Sequence, residues 1–152
     1  MATIYLLAPV PERHLESGVV VCREQGRVAY GSRAFESFLK LNDAIKPSTQ
    51  CGALIYASDS KMLTTSPSVT WRATYVGFNN AINGAHKDGM RYRPPTTASD
   101  DPEHWAIFWE VADLQRLGTT ASIRISELLG YDRPRRYLKN YIPKGPRVVE
   151  MA

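Results

Sequence analysis

Gly52-Ala-Leu-Ile-Tyr-Ala-Ser58 and Val69-Thr-Trp-Arg-Ala-Thr-Tyr-Val-Gly77 are two strongly β-type runs separated by a polar, turn-rich segment. In the second run Val69, Trp71, Ala73, Tyr75 and Gly77 alternate with Thr70, Arg72, Thr74 and Val76. That period of two is the pattern of a half-buried strand. Each run carries an aromatic residue among apolar ones, with Ser58, Thr70 and Thr74 nearby.

Working outward, Ile4 to Leu7 reads as a strand that Pro9 and Pro11 end. Gly18 to Arg23, with Val19, Val20 and Val21, reads as a second strand; Gln25-Gly26 is a turn and Arg27 to Tyr30 the return strand. Ser32 is a candidate N-cap for a short helix whose apolar stripe is Phe35, Phe38 and Leu39, with Pro47 near its end. Asn79 to His104 has no periodicity, and a loop of that length in a compact domain is often functional. Trp105 to Val111 returns to β character, which puts Trp105 and Trp109 on one strand face. Ser126 to Gly130 reads as a helical turn, Arg135 to Tyr141 as a short helix, and Val148-Val149 as a closing strand. About six strands with few helices predict an α+β domain spanning 1–152, built on a closed or nearly closed mixed β-barrel. Closure would remove the exposed sheet edges.

The chain of 152 residues is long enough for one buried core, and its 43% hydrophobic and 22% charged content is that of a globular protein. No apolar run reaches the roughly 20 residues of a membrane span, so no membrane partner is expected. The N-terminus lacks a basic leader and reads as a first strand. Cys22 and Cys51 form no disulfide framework, which suits a reducing, cytoplasmic setting. His14, His86 and His104 lack metal-ligand spacing, and neither a nucleophile elbow nor a phosphate loop is present, so no metal and no cofactor is expected. Asp100, Asp101 and Glu103 read either as paired carboxylates for acid–base work or, more simply, as a charged turn leading into a strand. His86 stays open as a general base.

The net charge of +4 is mild, but its distribution is uneven. Arg133, Arg135, Arg136, Lys139, Lys144 and Arg147 lie in one segment without an acidic residue, among prolines and tyrosines. Such a segment is either a phosphate-facing patch or a solvated loop and helix face. The aromatics Tyr30, Tyr56, Trp71, Tyr75, Tyr92, Trp105 and Trp109 are either core residues or stacking surfaces for bases.

The order of parts resembles the EVE domain of the PUA-like superfamily, whose relatives include YTH and ASCH domains. Gly31-Ser-Arg33 leads into a helix, and Lys46-Pro47, Leu54-Ile-Tyr-Ala-Ser58 and Trp71 to Gly77 follow in order. Trp105 opens a last main strand after a long loop, with Ser126 to Leu129 behind it. The family's Tyr-His-Ser has Ala57 at the histidine, its Asn after Gly-x-Arg is Ala34, and its Gly-Asp turn reads Ser48-Thr49. The resemblance implies a non-catalytic module that recognises a modified base of DNA or RNA in an aromatic pocket. Tyr30, Ser32, Arg33, Tyr56, Ser58, Trp71 and Trp105 would form that pocket, and Tyr92 or Met90 would close it. Arg33 and the basic segment, Arg133, Arg135, Arg136 and Lys139 foremost, would hold phosphates. Two alternatives stand beside this reading. One is an ASCH-like hydrolase of RNA or modified nucleosides using Lys87, Asp88 and Glu110. The other is a small-molecule or protein-binding module using the 79–104 loop.

Overall fold

The computed structural model describes residues 3–45, 50–60, 67–99, 104–132 and 135–151. The strands are β1 (Thr3–Val10), β2 (Val28–Ser32), β3 (Cys51–Ala57), β4 (Ser68–Val69), β5 (Trp71–Asn80), β6 (Ile107–Arg116), β7 (Ile123–Arg124), β8 (Leu129–Gly130) and β9 (Arg147–Met151). The helices are α1 (Glu12–Gln25) and α2 (Phe35–Ala44). Seven strands form one mixed sheet in the order β2-β6-β5-β3-β1-β9-β8, and β4 pairs with β7 apart from it. The β1–β3 ladder is parallel and the others are antiparallel.

The α+β class holds, whereas the closed barrel does not: among the described residues no ladder joins the terminal strands β2 and β8, so the sheet is open. The edges are managed in other ways. β8 is only two residues long. On β2, the Ala29 N–H donates to the Tyr92 carbonyl at 2.7 Å, so the 81–99 segment takes up part of the edge.

The expected strand at Gly18 to Arg23 is instead the second half of α1. Three consecutive valines favour a strand locally, but the wider pattern is helical. His14, Leu15, Gly18, Val21 and Cys22 are buried at spacings of three and four, while Val20 points out. Burial of that stripe against the sheet outweighs the valines' β preference, which is worth only tenths of a kcal/mol per residue. The helix stops at Gly26, whose φ of 84° lies in the left-handed region, and its N–H returns to the Cys22 carbonyl. Pro9 lies within β1 rather than beyond it. The β9 ladder ends at Leu7, so one side of β1 has no strand partner at the proline.

Both helices cover one face of the sheet. Leu6, Ala8, Leu15, Val21, Phe38, Leu41, Ile55, Trp71 and Trp109 belong to the core on that side. On the opposite face Leu7, Leu54, Tyr56 and Val149 pack beneath Val69, Ile125 and Leu128. A smaller cluster of Ala29, Tyr92 and Phe108 lies near the β2 edge. Ser126 to Gly130 forms part of a 3₁₀ turn at 125–127 followed by β8, and 135–141 is irregular chain with a bridge at Arg136 rather than a helix.

Candidate nucleic-acid interface

The basic segment does not lie flat on the surface. The Gly130 N–H donates to the Arg135 carbonyl, and Leu129 and Arg136 pair as an isolated bridge, so the chain after β8 folds back on itself. This brings Arg135 and Arg136 opposite Ser37 and Lys40, which sit one turn apart on the polar face of α2. Arg147, at the start of β9, completes a cleft of about 480 Å3 that also takes in Tyr131, Asp132 and Tyr137. Four cationic side chains face one carboxylate there. Asp132 is engaged with Lys40 at 2.6 Å, and among the described residues Arg135, Arg136 and Arg147 have no acidic partner. Tyr137 stacks on Tyr141 with centroids 5.4 Å apart, which leaves a flat aromatic surface beside the cations.

Of the phosphate-binding residues expected from sequence, Arg135 and Arg136 line this cleft and Lys139 is exposed outside its lining. Arg133 lies outside the described residues. Arg147 of the same basic segment lines the cleft as well, whereas Lys40 was not singled out. A lysine on a polar helix face has no local signature, and only the long-range fold sets it against the arginines.

The residues expected to form one aromatic pocket are not brought together. Tyr30 is buried against α1: its hydroxyl donates to the His14 carbonyl, and its ring tilts against Trp109 at 5.2 Å. Burial pushes its hydroxyl well above the ordinary tyrosine range. Trp71 shares that core, with Nε1 donating to Glu12 Oε2 at 3.3 Å and the Arg116 guanidinium over its ring. Tyr56 is buried on the other face, and its hydroxyl donates to the Pro143 carbonyl at 2.5 Å. Ser32 accepts from the Ala34 N–H ahead of α2, so it shapes the helix entry. Ser58 is exposed past the end of β3.

Trp105, Tyr92 and Arg33 remain near the β2 edge. Trp105 precedes β6 instead of lying on it, and it packs on the face opposite Trp109, so the expected shared face is corrected. Its ring lies over Gly31, where an added Cβ would stand 2.5 Å from the indole. Arg33 Nε donates to the His104 carbonyl at 3.0 Å, and His104 meets the Trp105 ring edge-on. Gly31→Ala is therefore expected to push the indole outward and red-shift its emission, because Trp71 and Trp109 are buried. An unchanged emission spectrum would contradict the Trp105–Gly31 contact.

The residues of the hydrolase alternative are partly committed elsewhere. Glu110 is buried between His86, whose Nε2 is 2.6 Å from Oε2, and Arg27, whose Nε is 3.2 Å from Oε1. His86 Nδ1 accepts the Asp88 N–H, which assigns the ring proton to Nε2 and makes it the donor to Glu110. Both ring nitrogens are thus occupied, and neither is presented to a substrate. Lys87 and Asp88 are exposed. Among the described residues no group of three His, Cys, Asp or Glu side chains could hold a metal ion, and no helix is long and apolar enough to cross a membrane. Cys22 and Cys51 are buried thiols, and burial raises the latter to about 11.

Comparison with known proteins finds no significant match to any family model, curated protein or solved structure.

Proposed function

We propose that this domain binds nucleic acid without catalysing its conversion, and that the cleft between α2, β8 and β9 holds the phosphate backbone. The observation that carries this reading is the gathering of Arg135, Arg136 and Arg147, without acidic partners among the described residues, beside the Tyr137–Tyr141 stack. Cations in a concave site attract polyanions, and adjoining rings accept bases of any sequence. The PUA-like kinship belongs to the same proposal, in the form of an open sheet rather than a closed barrel. The aromatic set expected to capture a modified base is divided among separate packing clusters, so those rings do not form one base pocket.

Fluorescence anisotropy with labelled single-stranded RNA and DNA tests the reading. Three phosphate contacts predict a slope of about −2 in log affinity against log salt for single strands. Arg135→Ala/Arg136→Ala is expected to weaken every sequence alike and to bring that slope close to −1. Binding that is absent, or insensitive to salt, would end the proposal. Strands carrying methylated bases in the same titration decide the modified-base expectation: equal affinity for plain and modified strands removes it.

A further inference from the structure

We propose that the face of the sheet away from the helices carries a second site, a pocket for a guanine base. It lies across β1, β3, β5 and β6 as a cavity of about 620 Å3 lined by Tyr5, Gly52, Arg72, Thr74, Asp113 and Gln115 among others. The ladders set these side chains on one face. Tyr5 pairs with Gly52 and Gly52 with Thr74, while Leu7, Leu54, Arg72 and Gln115 form the adjoining row.

The geometry of β6 is irregular at this place. Arg72 pairs with Gln115 and Thr74 with Ala112, so Asp113 and Leu114 stand opposite the single residue Ala73. That is a β-bulge, a device that re-aims side chains and is common beside functional sites. Asp113 has a φ of 54°, a conformation unfavourable for most L residues and best tolerated by Asn and Asp. Leu114 turns into the core while Asp113 is exposed at the cavity.

Arg72 and Asp113 share this wall, yet among the described residues neither has a hydrogen-bond or ion-pair partner, and they are not paired with each other. A ligand that satisfies both must offer two acceptors to the guanidinium fork and two donors to the carboxylate. Guanine does so along adjacent edges, with O6 and N7 as acceptors and N1–H and the N2 amino group as donors. Adenine presents an amino group beside N7 and has no donor at N1, so it meets both side chains badly. A free amino acid could also bridge the two charges. A flat ligand is favoured because the Tyr5 ring lies over Gly52, where an added Cβ would stand 2.6 Å from it, and so supplies a flat aromatic surface in the cavity.

This deepens the nucleic-acid reading and rests on it for the biological ligand, but the pocket can be tested with mononucleotides alone. Calorimetry with GMP and AMP is expected to show GMP binding at least tenfold tighter, the scale of one well-made bidentate contact. Asp113→Asn suits the same backbone conformation yet presents an amide where a carboxylate is needed. It is expected to abolish the preference, as is Arg72→Gln on the exposed face of β5. Arg136→Ala is expected to leave the preference intact. Equal affinity for GMP and AMP, a preference unchanged in both pocket variants, or binding of free amino acids in place of nucleotides would overturn the site. Strand binding without guanine preference sinks this inference and spares the phosphate cleft; GMP preference without strand binding does the reverse.

Discussion

Replacing Glu110 with alanine is expected to lower the unfolding free energy by about 3–5 kcal/mol, the range for breaking a buried ion pair on one side. The carboxylate is 4% exposed and is shared by the His86 Nε2–H and the Arg27 guanidinium. The Arg27 contact is close but not aligned as a hydrogen bond, so the His86 bond is the more directional of the two. Removing the carboxylate leaves a buried imidazole N–H unsatisfied and a partly desolvated cation unpaired. It also releases the anchor of the 81–99 segment, since His86 packs edge-on against Phe108 and beside Tyr92. Urea titration with amide exchange across 81–99 checks both effects. Glu110→Gln retains an acceptor for His86 and is expected to be milder. A loss below about 1 kcal/mol for the alanine variant would show that the buried network does not form.

Trp109→Ala is expected to be of similar size, about 3–5 kcal/mol, because the indole is fully buried where three elements meet. Its ring lies 5.2 Å from Tyr30 of β2 and 6.0 Å from Phe38 of α2, and Phe38 in turn packs on Tyr75 and Phe78 of β5. The cavity opens between α2 and the sheet, where a helix held by few buried side chains cannot easily close it. Thermal unfolding together with near-ultraviolet circular dichroism reads the effect. Trp105→Ala is the comparison: its half-buried ring is expected to contribute far less to stability. If the two variants cost the same, the core assignment of Trp109 is wrong.

The central strands were legible because Trp71 to Gly77 alternates strictly and Ala53 to Ala57 is continuously apolar, and these become neighbours in the sheet. The helix after Ser32 was legible, but of its expected stripe Phe35, Phe38 and Leu39 only Phe38 is buried; Phe35 and Leu39 are exposed, and Leu41, three residues beyond Phe38, takes the second core position. The valines of α1 misled because local propensity is weak beside the burial of a whole face, and the Pro11–Gln25 pattern has to be read as one stretch to reveal it. The barrel expectation failed for a different reason. Strand count sets no closure; that depends on which edge strands pair, and β2 is instead met by Tyr92 of the long segment.

The candidate site divides along the same line. Arg135 and Arg136 could be seen in the sequence as a charge run, because net charge is a property of composition and needs no partner to be counted. Their alignment with Lys40 could not, because it depends on contacts between segments about a hundred residues apart. The aromatics show the limit most clearly. Their identities mark them as able to stack, but a ring stacks on a base only where the fold leaves it uncovered. Packing consumed Tyr30, Trp71 and Tyr56 to close the two faces of the sheet. The sequence by itself determined the α+β class, the central strands and the basic segment, through periodicity and charge that each stretch carries alone. The tertiary structure decided that the sheet stays open, which rings are spent on the core, and that Arg72 and Asp113 share one wall with no partner among the described residues, because each of these is a property of residues brought together from distant parts of the chain.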